Sequence, residues 1–187
     1  TLFRSKYTDY LNNYLNNLIE DTNIEEKLTK IKNILLSTKK ENSKVLIFGN
    51  GGSAAIASHF SVDLTKNTKI KCQNFNEADL LTCFSNDYGY ENWVKESLRF
   101  YVDPGDMVIL ISSSGNSQNI VNALVMAKQL GVYSYAILGY SGGKSLTYAD
   151  SSIHFQVNDM QIAEDTQLIV GHLCMQWLSQ NKPNFDN

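Results

Sequence analysis

Two kinds of apolar pattern alternate along this chain. Short unbroken runs at 45–48, 107–111 and 134–138 read as strands buried on both faces of a sheet. Between them, apolar residues recur every three or four positions, as on the buried stripe of a helix. Tyr7, Leu11, Tyr14, Leu15 and Leu18 form one such series, and Ile24, Leu28, Ile31, Ile34 and Leu35 form the next. With Asp21-Thr22-Asn23 as a break, they predict a helical hairpin over 1–40 that covers its own domain or another subunit; spacing does not choose. Further on, 69–72 predicts a short strand, 78–84 a helix running into 85–90, and 91–101 an amphipathic helix. A turn at Pro104-Gly105-Asp106 leads into the second long apolar run. A helix from near Ser117 stops at Gly131, a glycine turn covers 139–143, 152–157 is a last short strand, and 160–180 is a long closing helix.

Strands alternating with helices predict the α/β class, with a doubly wound parallel sheet and ligands received at the carboxyl ends of its strands. No linker divides 1–187, so one domain is expected, with 1–40 as an extension and 44–180 as the core.

The first strand runs into Gly49, Asn50, Gly51, Gly52 and Ser53, where glycines allow a sharp turn and Ser53 suits a helix N-cap. Free N–H groups and the positive end of a helix dipole at one point suit a phosphate. A P-loop needs a Lys after its last glycine, which Gly-Gly-Ser-Ala lacks. A dinucleotide fingerprint needs an acid about 20 residues on, where 71–74 read Lys-Cys-Gln-Asn. A small phosphorylated metabolite fits better than either. The second long strand repeats the arrangement with Ser112-Ser113-Ser114-Gly115-Asn116-Ser117. If the two strands are neighbours, Ser53, Ser112, Ser114 and Ser117 surround one anion with hydroxyls and backbone donors. Serines of such loops also serve as plain turn and cap residues.

His59 and Asp63 stand four apart on the first helix after the glycines, which suits a metal, an acid/base pair or an ordinary surface contact. The closing helix carries Glu164, Asp165, Gln167 and His172. Both acids are spaced to address one pocket with His172, so spacing leaves the choice of acid open. His154, in a strand, reads as structural.

Composition narrows the setting. Hydrophobic residues make up 43% and charged residues 19%, as in ordinary globular proteins, and the net charge of −3 argues against a general nucleic-acid surface. No apolar run reaches membrane-spanning length and the start of the chain lacks a signal-peptide core. Cys72, Cys83 and Cys174 show no paired spacing and read as reduced core thiols of a cytoplasmic protein.

Three segments together resemble the sugar isomerase (SIS) domain: Gly49-Asn-Gly-Gly-Ser53-Ala with Ala57-Ser-His59-Phe60, then Ser85-Asn-Asp87-Tyr-Gly-Tyr-Glu-Asn92, then Ser112-Ser-Ser-Gly-Asn-Ser117. Within that family they are similar to the phosphoheptose isomerases, which convert sedoheptulose 7-phosphate to a heptose 7-phosphate for surface-polysaccharide precursors. The resemblance implies a flavodoxin-like three-layer fold and a homotetramer. It implies a substrate site of Asn50, Gly51, Gly52, Ser53, Asp87, Ser112, Ser113, Ser114, Ser117 and Glu164. It also implies one zinc per site on His59, Asp63, Glu164 and His172, with Asp63 and His172 as the proton-moving pair. Asp63 stands where the family has Glu and Glu164 where it has Gln. Ile56 replaces a usual acid, Asn67 falls near a usual arginine, and the residues around Gln161 and Gln167 depart. Conserved scaffold and altered sugar end together leave room for an isomerase of another sugar or a sugar-phosphate sensor. Some relatives are instead tetrameric adaptors of the replication initiator, which the metal-competent residues here argue against.

Overall fold

A strand with apolar side chains on both pleats needs a packed layer on each side, and β1 (Lys44–Phe48) is such a strand. Val45 and Ile47 point into one core, Leu46 and Phe48 into the other. The computed structural model describes residues 23–179, together with the helical residues 8, 9, 12 and 16. The first half of the expected hairpin therefore lies outside the described residues. Its second half is α1 (Ile24–Lys40), which buries Leu28, Ile31 and Leu35.

The other elements are α2 (Gly52–Asp63), β2 (Lys71–Asn74), α3 (Ala78–Tyr88), α4 (Trp93–Tyr101), β3 (Met107–Ser112), α5 (Gln118–Leu130), β4 (Tyr133–Leu138), α6 (Ser145–Tyr148), β5 (Ser151–His154) and α7 (Met160–Leu178). Among the described residues the five strands are all parallel, in the order β2-β1-β3-β4-β5. The first core packs α1, α2 and α7 on one face of the sheet; the second packs α4 and α5 on the other. This is the doubly wound α/β fold that alternation predicts.

Local differences have local causes. The strand expected at 69–72 begins two residues later because α2 runs on into a wider π turn, Leu64–Thr68. The Thr68 hydroxyl donates to the Leu64 carbonyl at 2.6 Å, and Lys69 leaves the turn with φ 61°. The last strand ends at His154, where Tyr140 N–H reaches across to the Val157 carbonyl and bends the chain out of the ladder. Helix α6 is too short, at four residues, to show a period in the sequence. Of the three cysteines, only Cys174 is fully buried, and desolvation pushes its thiol up to about 12. Cys72 is half-buried against the same core with its pKa also raised by desolvation. Cys83 is exposed on α3, so it is not the core thiol expected.

At the amino ends of the strands, Asp106 ties the sheet to the preceding loop. Its carboxylate accepts the Lys44 and Asp103 backbone N–H groups, each at 2.8 Å, and pairs with the Lys44 ammonium at 2.6 Å. Burial works against the charge on Lys44. Hydrogen bonds and attraction to Asp103 and Asp106 outweigh it, and the Lys44 pKa lies above its ordinary 10.5. The Lys44 contribution to this clamp is therefore fully present below 10.5 and is lost as pH rises through the raised pKa. Asp106→Ala leaves two backbone donors unpaired and is expected to destabilise the fold by about 2–3 kcal/mol in urea unfolding at neutral pH.

Candidate active site

The strand order makes β1 and β3 neighbours, while the helices that follow them, α2 and α5, pack on opposite faces. The chain thus opens a crevice at the carboxyl ends of these two strands, where doubly wound folds hold ligands. A cavity of about 270 Å³ lies there, lined by Asn50, Gly51, Gly52 and Ser53 from one turn and by Ser112, Ser113, Ser114 and Ser117 from the other. Ile111, Met160 and Glu164 complete the wall. Eight residues expected at the substrate site, among them the four serines expected around an anion, are brought together by this one topological feature.

The turn after β1 differs from expectation in its cap. Gly51, not Ser53, precedes the helix, and its carbonyl accepts the Ala54 and Ala55 N–H groups at 3.0 and 3.2 Å. Its φ of 55° is the left-handed conformation that glycine adopts without strain. Ser53 is freed for another task. Its hydroxyl donates to Gln167 Oε1 at 3.3 Å, and Gln167 Nε2 donates to the Ser113 hydroxyl at 3.4 Å. A fully buried glutamine on α7 therefore bridges the two turns beneath the cavity. In the second turn, the Ser112 hydroxyl accepts Gly115 N–H at 3.1 Å and the Ser114 hydroxyl accepts Asn116 N–H at 3.2 Å. Accepting from the backbone leaves each O–H free to donate to an anion.

Glu164 lies against Gly52, close enough that a Cβ at Gly52 would run into its carboxylate. The acid thus shares the positive end of α2 with whatever anion enters the cavity. Asp87 is not in the cavity wall. It stands exposed near the end of α3, where its carboxylate accepts from Asn86 Nδ2 at 2.9 Å.

Helices α2 and α7 both start at the cavity and pack side by side, with Gly171 leaving room for the Phe60 ring. His59, seven residues beyond Gly52, and His172, eight beyond Glu164, lie roughly 10–12 Å further along them. There the two Nε2 atoms are 3.0 Å apart, the rings meeting edge to face, and Asp63 Oδ2 is 3.4 Å from His59 Nε2. One ligand atom from each of His59, Asp63 and His172 falls within 4.8 Å of the others. Two imidazoles and a carboxylate are the nitrogen and oxygen donors zinc prefers, and three protein ligands leave a position open for substrate. The donor set fits that ion. Glu164, at the far end of the helix interval, is not in this group. Asp165 is exposed and outside it, and His154 is held by the Tyr140 carbonyl at 2.9 Å, in keeping with a structural histidine.

Two residues beside the cavity were given no role by the sequence, Asn119 outside every motif and Tyr90 within the 85–92 segment. Asn119 and Tyr90 hold Asn50, and a buried amide next to a helix N-cap is the only sequence sign of the first. Gln167 was visible as a polar residue on the closing helix, but its bridge depends on the packing of α7.

The SIS-domain family model matches residues 6–139. The chain belongs to the SIS-domain family. Among its relatives, the phosphoheptose isomerase of Aliarcobacter butzleri is 33% identical over 159 residues, 82% of this chain and 84% of that one. The phosphoheptose isomerase of Cytophaga hutchinsonii is 34% identical over 145 residues, 75% of this chain and 76% of its own. The solved phosphoheptose isomerase of Neisseria gonorrhoeae superposes with a TM-score of 0.87 at 23% identity, covering 96% of this chain and all of that one. At that identity the superposition speaks for the fold alone.

Two substitutions at this SIS cavity should act in opposite directions. Ser114→Ala removes one free donor to an anion and is expected to weaken inorganic phosphate about tenfold by calorimetry. Glu164→Gln removes a like charge and is expected to tighten it several-fold under the same conditions.

Proposed function

We propose that this SIS-domain protein is a sugar-phosphate aldose–ketose isomerase, acting on sedoheptulose 7-phosphate to give D-glycero-D-manno-heptose 7-phosphate for surface-polysaccharide precursors. The observation that carries the reading is the pairing of an anion cavity with a His/Asp/His group about 10 Å along the same two helices. The phosphate is held at one end and the reacting carbons at the other. The similarity to phosphoheptose isomerases at more than 30% identity supports the choice of substrate.

Isomerisation moves one proton between C1 and C2 and another between their oxygens. In this reading His172 exchanges the proton at oxygen and Asp63 the proton at carbon. Asp63 is held by Asn67 Nδ2 at 3.2 Å on one oxygen and faces His59 on the other. Ser112, Ser114 and Ser117, with the backbone donors of the two turns, the Ser53 N–H among them, bind the phosphate and fix the distance from it to the reacting carbons. Ser113 and Gln167 support them, and Asp87 and Glu164 are assigned to the sugar. His59, Asp63 and His172 would hold a zinc ion, while Glu164 stays at the glycine turn, apart from these three. Bound there, zinc supplies Lewis-acid polarisation of the carbonyl oxygen. A carboxylate committed to a metal is a weaker base, so Asp63 would act at carbon through the oxygen that Asn67 holds, with Oδ2 turned to the histidines. The reading includes a cytoplasmic homotetramer; among the described residues no helix is long and apolar enough to cross a membrane.

The test supplies the purified protein with sedoheptulose 7-phosphate, once with added zinc and once with a chelator, and reads aldoheptose 7-phosphate by chromatography. Product is expected with zinc, at least a hundredfold less with chelator, and none above background with His172→Ala. Absence of product from the wild-type protein under every metal condition overturns the reading.

A further inference from the structure

We propose that Asn119 and Tyr90 are positioning residues that lock the Asn50 side chain so that a single N–H faces the substrate. The inference rests on the sugar-phosphate isomerase reading. An asparagine side chain has two acceptor positions on oxygen and two hydrogens on nitrogen. In Asn50 both acceptor positions are filled, by Asn119 Nδ2 at 2.8 Å and by the Tyr90 hydroxyl at 3.0 Å. One hydrogen of Asn50 Nδ2 goes to Asn119 Oδ1 at 2.9 Å. The second hydrogen is the one group left, and Asn50 lines the cavity.

A reciprocal amide pair would be satisfied equally well with both amides turned over, so something must choose the orientation. The Ile120 backbone N–H does so. Shared with the Ser117 carbonyl at 3.0 Å, it also donates to Asn119 Oδ1 at 3.1 Å, and a backbone donor cannot exchange roles. The buried Asn119 is thereby fixed from its own helix, Asn50 is fixed by Asn119, and the Tyr90 hydroxyl completes the set from the segment after α3. Asn50 reads an acceptor oxygen of the sugar phosphate and cannot accept from a hydroxyl. Because Asn50 belongs to the β1 turn and Asn119 to α5, the same pair also ties the two sides of the cavity together.

Tyr90→Phe and Asn119→Ala are made in the wild-type chain and again in Asn50→Ala, and kcat and KM are measured on sedoheptulose 7-phosphate. Tyr90→Phe is expected to lower kcat/KM about three- to tenfold and Asn119→Ala about ten- to a hundredfold. In the Asn50→Ala background neither should cost more than about twofold, since their effect passes through Asn50. Losses that persist undiminished without Asn50 overturn the proposal, as does a Tyr90→Phe protein with unchanged kcat/KM. Asn119 is buried, so if its alanine variant does not fold, the Tyr90→Phe cycle decides alone. A wild-type protein that binds sedoheptulose 7-phosphate without converting it defeats the isomerase reading by itself. The same cycle, read as calorimetric Kd for that sugar phosphate, then tests the positioning role, and no binding overturns both.

Discussion

The structure depends on the two-sided burial of β1. A five-residue strand whose alternate side chains feed two separate cores has to lie inside the sheet, and that places β2 on one side of it and β3 on the other. Once β1 and β3 are neighbours with their helices on opposite faces, the crevice between their ends follows from connectivity. Its backbone donors are the first N–H groups of α2 and the serine turn before α5, which have no partner within their own helices. Hydrophobic burial and unmet backbone hydrogen bonds thus converge on one place, and that place is polar because the helices begin there.

The closing helix turns this crevice into a site. Over one face α7 presents Glu164 to Gly52, Gln167 to Ser53 and Ser113, Gly171 to Phe60, and His172 to His59. These contacts recur at helical spacing because α2 and α7 pack side by side from the same end of the sheet. The buried glutamine is the costly member, since an amide without partners would oppose folding; its two serine partners satisfy it from both turns. Anion cavity and His/Asp/His group are consequently parts of one rigid pair of helices, with a fixed interval between them.

The departures from the SIS pattern have local structural settings. Asp63 is a methylene shorter than the family's glutamate, and Asn67, near the position of a usual arginine, holds one of its oxygens. Glu164 brings a charge where a neutral amide is usual, and it rests against the glycine turn at the helix N-terminus, where a negative charge is best tolerated. Both changes lie at the sugar end and the cavity wall, while the serine turns and the two histidines are kept.

Periodicity alone determined the α/β class, the positions of the long strands and most helices, and the strand–turn–helix character of the two serine turns, because each depends on residues a few positions apart. The helical spacing of His59 and Asp63 was legible for the same reason. Tertiary structure decided which of these local features meet. It made β1 and β3 adjacent, set His172 and not Asp165 beside His59, and kept Glu164 with the glycine turn instead of the histidines. It also gave the N-cap to Gly51 and drew Ser53 to Gln167, a partner 114 residues away. The pairing of Asn50 with Asn119 spans 69 residues and rests on the same adjacency of strands. Periods in a sequence report on a residue's own helix or strand; which elements become neighbours is set by packing them around a shared core.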